Sequence, residues 1–256
     1  MTLSLPKRPV ASSRRRDELQ LAPITHQTLF ERVYNKMRDA LMTGAFASGE
    51  TLTIRGLAEQ LGTSVMPARE ALRRLAAEGA LDVLPNRSIR VPVMDADRVA
   101  ELCRLRMLLE GEAALIAASR LTPDELLVIR GFHRDFEASI KSGNVFKLLE
   151  AGQNLHFAIY EGARSPKMLS IIGMLWLQSG PWLAEPMRRS FNRREVVSFA
   201  ESVSVHHQRI VEALEKADAV RAAKAVRAEI AYLMDHARTI VAGSGPARVS
   251  ARAERR

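Results

Sequence analysis

The chain has 256 residues, 47% of them hydrophobic and 26% charged, with a formal net charge of +9 at pH 7. That length allows two modest domains or one large one, and the composition excludes low-complexity and collagen-like classes. The one cysteine, Cys103, rules out an internal disulfide and a multi-cysteine zinc cluster and fits a reducing compartment, while the excess of basic charge favours a polyanionic partner.

Residues 1–24 carry Lys7, Arg8, Arg14, Arg15 and Arg16 among Pro and Ser with little to bury. They read as a flexible basic arm, either a solvated tail or a source of attraction to phosphates. No apolar core follows these basic residues as a secretory signal requires. The most apolar later stretch, Ser170 to Ala184, is interrupted by Gln178, Gly180 and Pro181 and is too short to span a bilayer, so a cytoplasmic protein with no membrane partner is expected.

From Thr25 the pattern turns helical: Leu29, Val33, Met37 and Leu41 recur every four residues, and Gly44 is a stop. A turn over 45–50 follows, with Ser48-Gly49 as its chemistry. Thr51 or Thr53 can cap a short helix that carries Leu57, Ala58 and Leu61 on one face and closes at Gly62. Ser64 opens a third helix with Pro67 in its first turn and Ala71, Leu72 and Leu75 as its buried stripe. Residues 81–84 and 89–93 then read as two short strands around the basic tip Pro85-Asn86-Arg87-Ser88. Helix, helix, helix and hairpin is the order of a winged helix-turn-helix, assigned to 25–94, with the helix from Ser64 as the recognition element.

From Asp95 onward there is no strand-like alternation. Helices are expected over 96–119, 123–142, 144–163, 166–179, 191–216 and 219–241. The breaks fall at Thr122-Pro123, Gly143-Asn144, Ser165-Pro166, Gly180-Pro181 and Asp218. Short connections between long amphipathic helices imply an antiparallel all-α bundle over 95–241. Residues 242–256, rich in Gly, Ser, Pro and Arg, are expected to be a disordered tail. The fold class is therefore mainly α, a winged helix-turn-helix with a small β-hairpin followed by a helical bundle.

Arg69 and Arg73 are four apart on the third helix and share a face, while Leu72 and Leu75 lie towards the other side. Arginine can reach guanine O6 and N7 bidentately in the major groove, which makes this pair candidate base readers. Ser64 at the N-cap leaves backbone N–H groups for a phosphate. Met66 in the same first turn joins the candidate DNA-contacting set. Arg55 suits a backbone contact, and Asn86 and Arg87 at the hairpin tip can enter the minor groove or touch phosphates. The alternative for Arg69 is an ion pair with Glu70 or Glu78.

The runs Gly44–Leu52, Leu57-Ala58-Glu59-Gln60-Leu61-Gly62 and Met66-Pro67-Ala68-Arg69-Glu70-Ala71-Leu72-Arg73-Arg74-Leu75 closely resemble the GntR family of bacterial regulators. Glu78-Gly79-Ala80-Leu81 and Pro85-Asn86-Arg87-Ser88 are similar to that family's lead into its wing. Two positions depart: Val65 stands where many members have Arg, and Ser88 where many have Gly. The resemblance implies a double-stranded DNA operator. The C-terminal half resembles the helical ligand-binding domain of the FadR subgroup, through Glu101-Leu102, Arg106, Leu109-Glu110 and Ala113-Ala114, then His156-Phe157-Ala158-Ile159-Tyr160, then His207 to Leu214.

That resemblance implies a homodimer, a small organic-acid effector and, often, a divalent metal held by an Asp four residues before a His plus two more His. Here Gly152 stands at the Asp position and Glu229 at one of the His positions. Spacing gives partial support of its own. His207 and Glu229 lie equally far either side of the break at Asp218, so a rise of about 1.5 Å per residue sets them level on facing helices. His156 from a third helix can complete a His, His, carboxylate set suited to Zn²⁺ or a similar ion. A buried Arg106 can hold an effector carboxylate together with His156 and His207, or pair with Glu110 four residues on. His206 is read as a neighbour, His133 as a surface residue, and Trp176 and Trp182 as core. The function expected is a non-enzymatic DNA-binding regulator, a repressor controlled by a small carboxylate. The alternatives are a metal-dependent enzyme of the helical bundle and an effector-free DNA binder.

Overall fold

The computed structural model describes residues 28–85, 88–93, 95–189 and 192–243, the side chains of 185–189 and 237–243 excepted. The basic arm over 1–24, the tip residues Asn86 and Arg87, and residues 244–256 lie outside that range. The first unit contains α1 (Leu29–Met42), β1 (Thr51–Leu52), α2 (Ile54–Gln60), α3 (Val65–Ala77), β2 (Asp82–Val83) and β3 (Ile89–Arg90). Thr28 starts α1 with a capping box, its hydroxyl accepting from the Glu31 N–H while Glu31 reaches back to the Thr28 N–H. Thr53, rather than Thr51, caps α2. The apolar stripes meet as their spacing requires: Val33, Met37 and Leu41 of α1 pack with Leu57 of α2 and Leu72 and Leu75 of α3 in one core.

The hairpin supplies two strands of a three-stranded antiparallel sheet in the order β1-β3-β2. Thr51 pairs with Arg90 and Asp82 also pairs with Arg90 on the other side of β3. The third strand follows directly on the turn over 45–50 and is two residues long, too short to show any periodicity in sequence.

Six helices follow: α4 (Ala96–Ala118), α5 (Pro123–Ile140), α6 (Val145–Glu161), α7 (Pro166–Arg189), α8 (Arg193–Glu215) and α9 (Ala219–Gly243). Their starts are set by Asp95, Thr122, Asn144 and Asn192, each accepting a backbone N–H of its own first turn. α9 runs two residues past the expected boundary at 241. One expectation is overturned, since α7 continues through Gly180-Pro181 instead of stopping at 179. Proline removes one N–H and normally breaks a helix. Here the flanking side chains hold the segment on both sides of the proline: Trp176, Leu177, Trp182 and Ala184 are all buried.

Gly180 is also where the two units touch. A Cβ there would collide with the carbonyl oxygens of Leu41 and Met42 at the end of α1, and a Cβ on Gly44 (φ +66°) would meet Ala184. Gln178 Nε2 donates to the Glu78 carbonyl across the same seam, 3.1 Å away. Gly180→Ala should therefore lower stability by about 1–3 kcal/mol in urea unfolding, because backbone, not a flexible side chain, must move. Gly131→Ala on α5, where a Cβ meets nothing within 4 Å, should instead stabilise by up to about 1 kcal/mol. Equal responses at the two positions would refute the close approach.

Candidate functional site

Two regions carry the candidate residues. On the first unit, Arg55, Ser64, Met66, Arg69 and Arg73 are all exposed, and the last three follow one another along one side of α3. Ser64 sits at the α3 N-cap but its hydroxyl makes no capping bond. The pairing of Arg69 with Glu78 is not formed. Glu78 instead accepts from Tyr34 Oη at 2.8 Å and from Arg74 Nε at 3.1 Å, and the Arg74 guanidinium lies 4.0 Å from the centre of the Tyr34 ring. Among the described residues no carboxylate is within ion-pair reach of Arg55, Arg69 or Arg73. Met66 is 58% exposed, an unusual setting for a large apolar side chain.

The second region lies inside the bundle, where α4, α6, α8 and α9 each contribute to one buried polar chain. Arg106 Nε donates to Glu110 Oε1 at 2.6 Å, and Tyr160 Oη donates to Glu110 Oε2 at 2.6 Å. His156 Nδ1 lies 3.0 Å from Tyr160 Oη. His156 Nε2 and His207 Nε2 each lie 3.0 Å from Glu229 Oε1. Tyr160 has one proton and gives it to Glu110, so His156 Nδ1 must be the donor to Tyr160. The structure thus realises the ion pair that sequence offered as the alternative for Arg106. Its guanidinium also lies 4.5 Å from the centre of the Trp176 ring.

Burial would by itself raise the Glu229 pKa, but His156 and His207, each bonded to it, hold the carboxyl well below the usual carboxylate range. Burial pushes the His207 imidazole down, against the attraction of Glu229. Burial and the Glu110 carboxylate together push the Tyr160 phenol well up, so it remains a hydrogen-bond donor. Burial disfavours the Arg106 cation, and Glu110 more than restores it.

His156 Nε2, His207 Nε2 and a Glu229 oxygen converge within 4.8 Å of one another, all buried. Tetrahedral coordination with bonds of about 2.0–2.1 Å separates ligand atoms by about 3.3 Å, so only a small outward movement from the 3.0 Å contacts makes room for an ion. Glu229 Oε2 and His207 Nδ1 are buried with no hydrogen-bond partner, as expected of groups arranged for something besides each other. The residues fit a divalent cation. A Cβ on Gly152 would be 3.6 Å from Phe136 and 3.9 Å from His207, an ordinary contact, so the position that lacks a carboxylate admits a Cβ without a clash.

Beside these groups is a cavity of about 70 Å³ with apolar walls that include Leu148, Phe199, Val203 and Leu233. Arg106, His156, His207, Glu229 and Trp176 all reach it. Trp176 and Trp182 are buried as expected, and Trp176 is a cavity wall as well. His133 is not a surface residue: it is 6% exposed, its ring edge-on to His207 with centroids 6.2 Å apart. It lies on the face of α5 that also buries Ile129 and Phe136, a placement readable from the spacing of 129, 133 and 136. Tyr160 is the residue with a clear task that sequence reading assigned none. Its signal was the i,i+4 spacing from His156, which puts the two on one face of α6.

Residues 29–91 match the gntR family of bacterial regulatory proteins, and residues 101–231 match the FCD domain. The HTH-type transcriptional regulator McbR of Escherichia coli (strain K12) is 32% identical over 158 residues, 62% of this chain and 72% of that protein. The Nta operon transcriptional regulator of Aminobacter aminovorans is 33% identical over 129 residues, half of this chain and 60% of that protein. The solved structure of E. coli McbR/YncC superposes with a TM-score of 0.74 at 27% identity, covering 85% of this chain and 99% of that one. A GntR regulator from Rhodococcus sp. RHA1, at 19% identity and a TM-score of 0.64, shares the fold. No helix among the described residues is long and apolar enough to cross a membrane. Winged helix-turn-helix, helical bundle and sequence agree: the chain belongs to the GntR family of bacterial transcriptional regulators, in the FadR-type group that carries an FCD domain.

Proposed function

We propose that the protein is a non-enzymatic, homodimeric repressor that binds a double-stranded DNA operator through α3 and releases it in response to a small carboxylate. The observation that carries this reading is the pair Arg69 and Arg73, exposed, unpaired among the described residues and side by side on the helix that the fold presents to a major groove. Exposed Arg55, Ser64 and Met66 add to the same interface, and the sequence adds Asn86 and Arg87 as further candidate contacts. The effector site is the cavity at Arg106, His156 and His207. About 70 Å³ is roughly half the volume of the cavity of about 150 Å³ that admits benzene, so a carboxylate of only a few carbons fits without movement of the walls. Binding there acts on DNA through the seam at Gly180 and Gln178, which joins the ligand-binding bundle to α1 and α3.

The divalent ion, Zn²⁺ or a similar one, would be held by His156, His207 and Glu229. When bound it supplies positive charge that attracts the effector's carboxylate. Around it, Tyr160 orients His156 by accepting from Nδ1, and Glu110 fixes Tyr160. Selection of bound fragments from genomic DNA at near-physiological salt tests the regulator reading. Recovery of a shared palindrome supports it, and binding that shows no preference and fades with salt overturns it. Zn²⁺ titration followed by thermal unfolding tests the ion. Glu229→Gln should weaken binding by about tenfold or more, and Gly152→Asp should tighten it by a similar factor by adding a fourth ligand. No shift of the wild-type melting temperature with Zn²⁺, Mn²⁺ or Ni²⁺ would remove the ion from the reading.

A further inference from the structure

Where α1 and α3 of the first unit meet α6 and α7 of the second, the four helices leave an open cleft of about 610 Å³ between them. That is the size of a site for a small organic molecule. The cleft is separate from the buried cavity at His156 and His207. Among the described residues Gln153 is the one wall the two share, and its amide is turned to Met42 Sδ, 3.8 Å away.

The two sides of the cleft differ in chemistry. The bundle side is largely apolar, with Phe157 of α6 and Leu169 and Met174 of α7 half-buried along it. The side made by α1 and α3 is charged. There Arg74 and Glu78 pair at 3.1 Å, and Tyr34 Oη donates to the same carboxylate. Arg38 is left over. It is half-buried and, among the described residues, makes no ion pair, either with exposed Asp39 beside it in the chain or with Glu161 across the cleft. Its Nη2 comes within 3.7 Å of where a Cβ on Gly173 of α7 would stand, so the guanidinium reaches across the cleft. Glu161 is also unpaired among the described residues, but it is exposed and water solvates it. The charge that lacks both full hydration and a counter-ion is therefore the cation, and a planar guanidinium is suited to a carboxylate.

We infer that this cleft is a second ligand site, one that takes an amphipathic organic acid, its carboxylate on Arg38 and its flat apolar body against Phe157, Leu169 and Met174. A molecule seated there touches both units at once. α3 gives Arg74 and Glu78 to the cleft and carries Arg69 and Arg73 on its exposed surface, so occupancy biases how the recognition helix sits against the bundle. That consequence rests on the regulator reading above; the site itself does not.

The probe is 2-naphthoate, with binding to the full chain measured by equilibrium dialysis and folding of each variant verified by circular dichroism. About one molecule per chain should bind, with a Kd between about 10 μM and 1 mM for a ligand of this size. Arg38→Gln should weaken it about tenfold or more by removing a charge-assisted contact. Ser170→Trp, at an exposed position on the α7 wall, should abolish binding by filling the cleft. Naphthalene-2-methanol, which lacks the charge, should bind wild type and Arg38→Gln alike, about tenfold more weakly than the acid binds wild type. Affinity for 2-naphthoate that survives both substitutions would put the acid elsewhere and overturn the cleft site, as would no binding at millimolar concentration. Equal affinity for acid and alcohol would overturn the ligand class. None of these measurements involves DNA, so their failure leaves the regulator reading standing. With a selected operator, saturating 2-naphthoate should change its Kd about fivefold or more, and an unchanged Kd would remove the coupling to DNA.

Discussion

Replacing Arg69 and Arg73 together by Ala is expected to weaken operator binding by about 2–6 kcal/mol, on the order of 30-fold to 10⁴-fold in Kd, while leaving the fold intact. Each bidentate arginine–guanine contact is worth about 1–3 kcal/mol of discrimination. Both side chains are exposed and in no ion pair among the described residues, so their loss should change stability by no more than about 0.5 kcal/mol. The variant R69K/R73K separates two roles that alanine merges. Lysine keeps the charge but lacks the planar fork, so affinity for random DNA should be nearly retained while preference for the operator falls. Competition binding with operator and random duplexes at one salt concentration reads both quantities. A parallel loss on both duplexes in the lysine variant would reassign the two arginines to phosphate contacts.

Glu110→Ala should lower unfolding stability by about 3–5 kcal/mol, which for a chain of this size is about 6–20 °C in Tm. Glu110 is fully buried and neutralises Arg106, itself 2% exposed, through Nε and Nη2 at 2.6 and 3.3 Å. It also accepts the Tyr160 proton. Removing it strands a buried cation and a buried donor without their carboxylate partner. The double variant R106M/E110L replaces the pair with apolar groups of similar volume and should recover most of the loss, because a buried ion pair adds little net stability over a well-packed apolar one. If Arg106 anchors the effector, the double variant should fold and bind operator yet ignore the ligand. Calorimetry of unfolding and an operator-release assay distinguish these outcomes. A double variant no more stable than Glu110→Ala would show that the pair serves the packing around Tyr160.

Features encoded within a few neighbouring residues are legible in the amino-acid sequence. The stripe at 29, 33, 37 and 41, the cap at Thr53, the helix opened by Ser64 and the all-α character from Asp95 onward depend on spacing and capping, which act over one or two turns. The level placement of His207 and Glu229 is legible for a related reason: two helices joined by a tight turn at Asp218 are indexed by counting from it, and the atoms meet at 3.0 Å.

What failed was decided at long range. Pro181 reads locally as a stop, yet α7 passes through it because buried tryptophans hold the segment on both sides. β1 is two residues that become a strand only because β3 lies beside them. The chain from Arg106 through Glu110, Tyr160 and His156 to Glu229 and His207 draws on four helices, and no local pattern states that their polar ends meet.

The sequence by itself determined the helix-turn-helix, the exposed arginine pair and the helical class of the second unit, since periodicity and capping are properties of neighbouring residues. Only the tertiary structure decided that Arg106 pairs with Glu110, that His133 is buried against the histidine site, and that Gly180 admits α1. Burial and ion-pair partnership depend on which distant surfaces pack together, and that packing is a property of the whole chain.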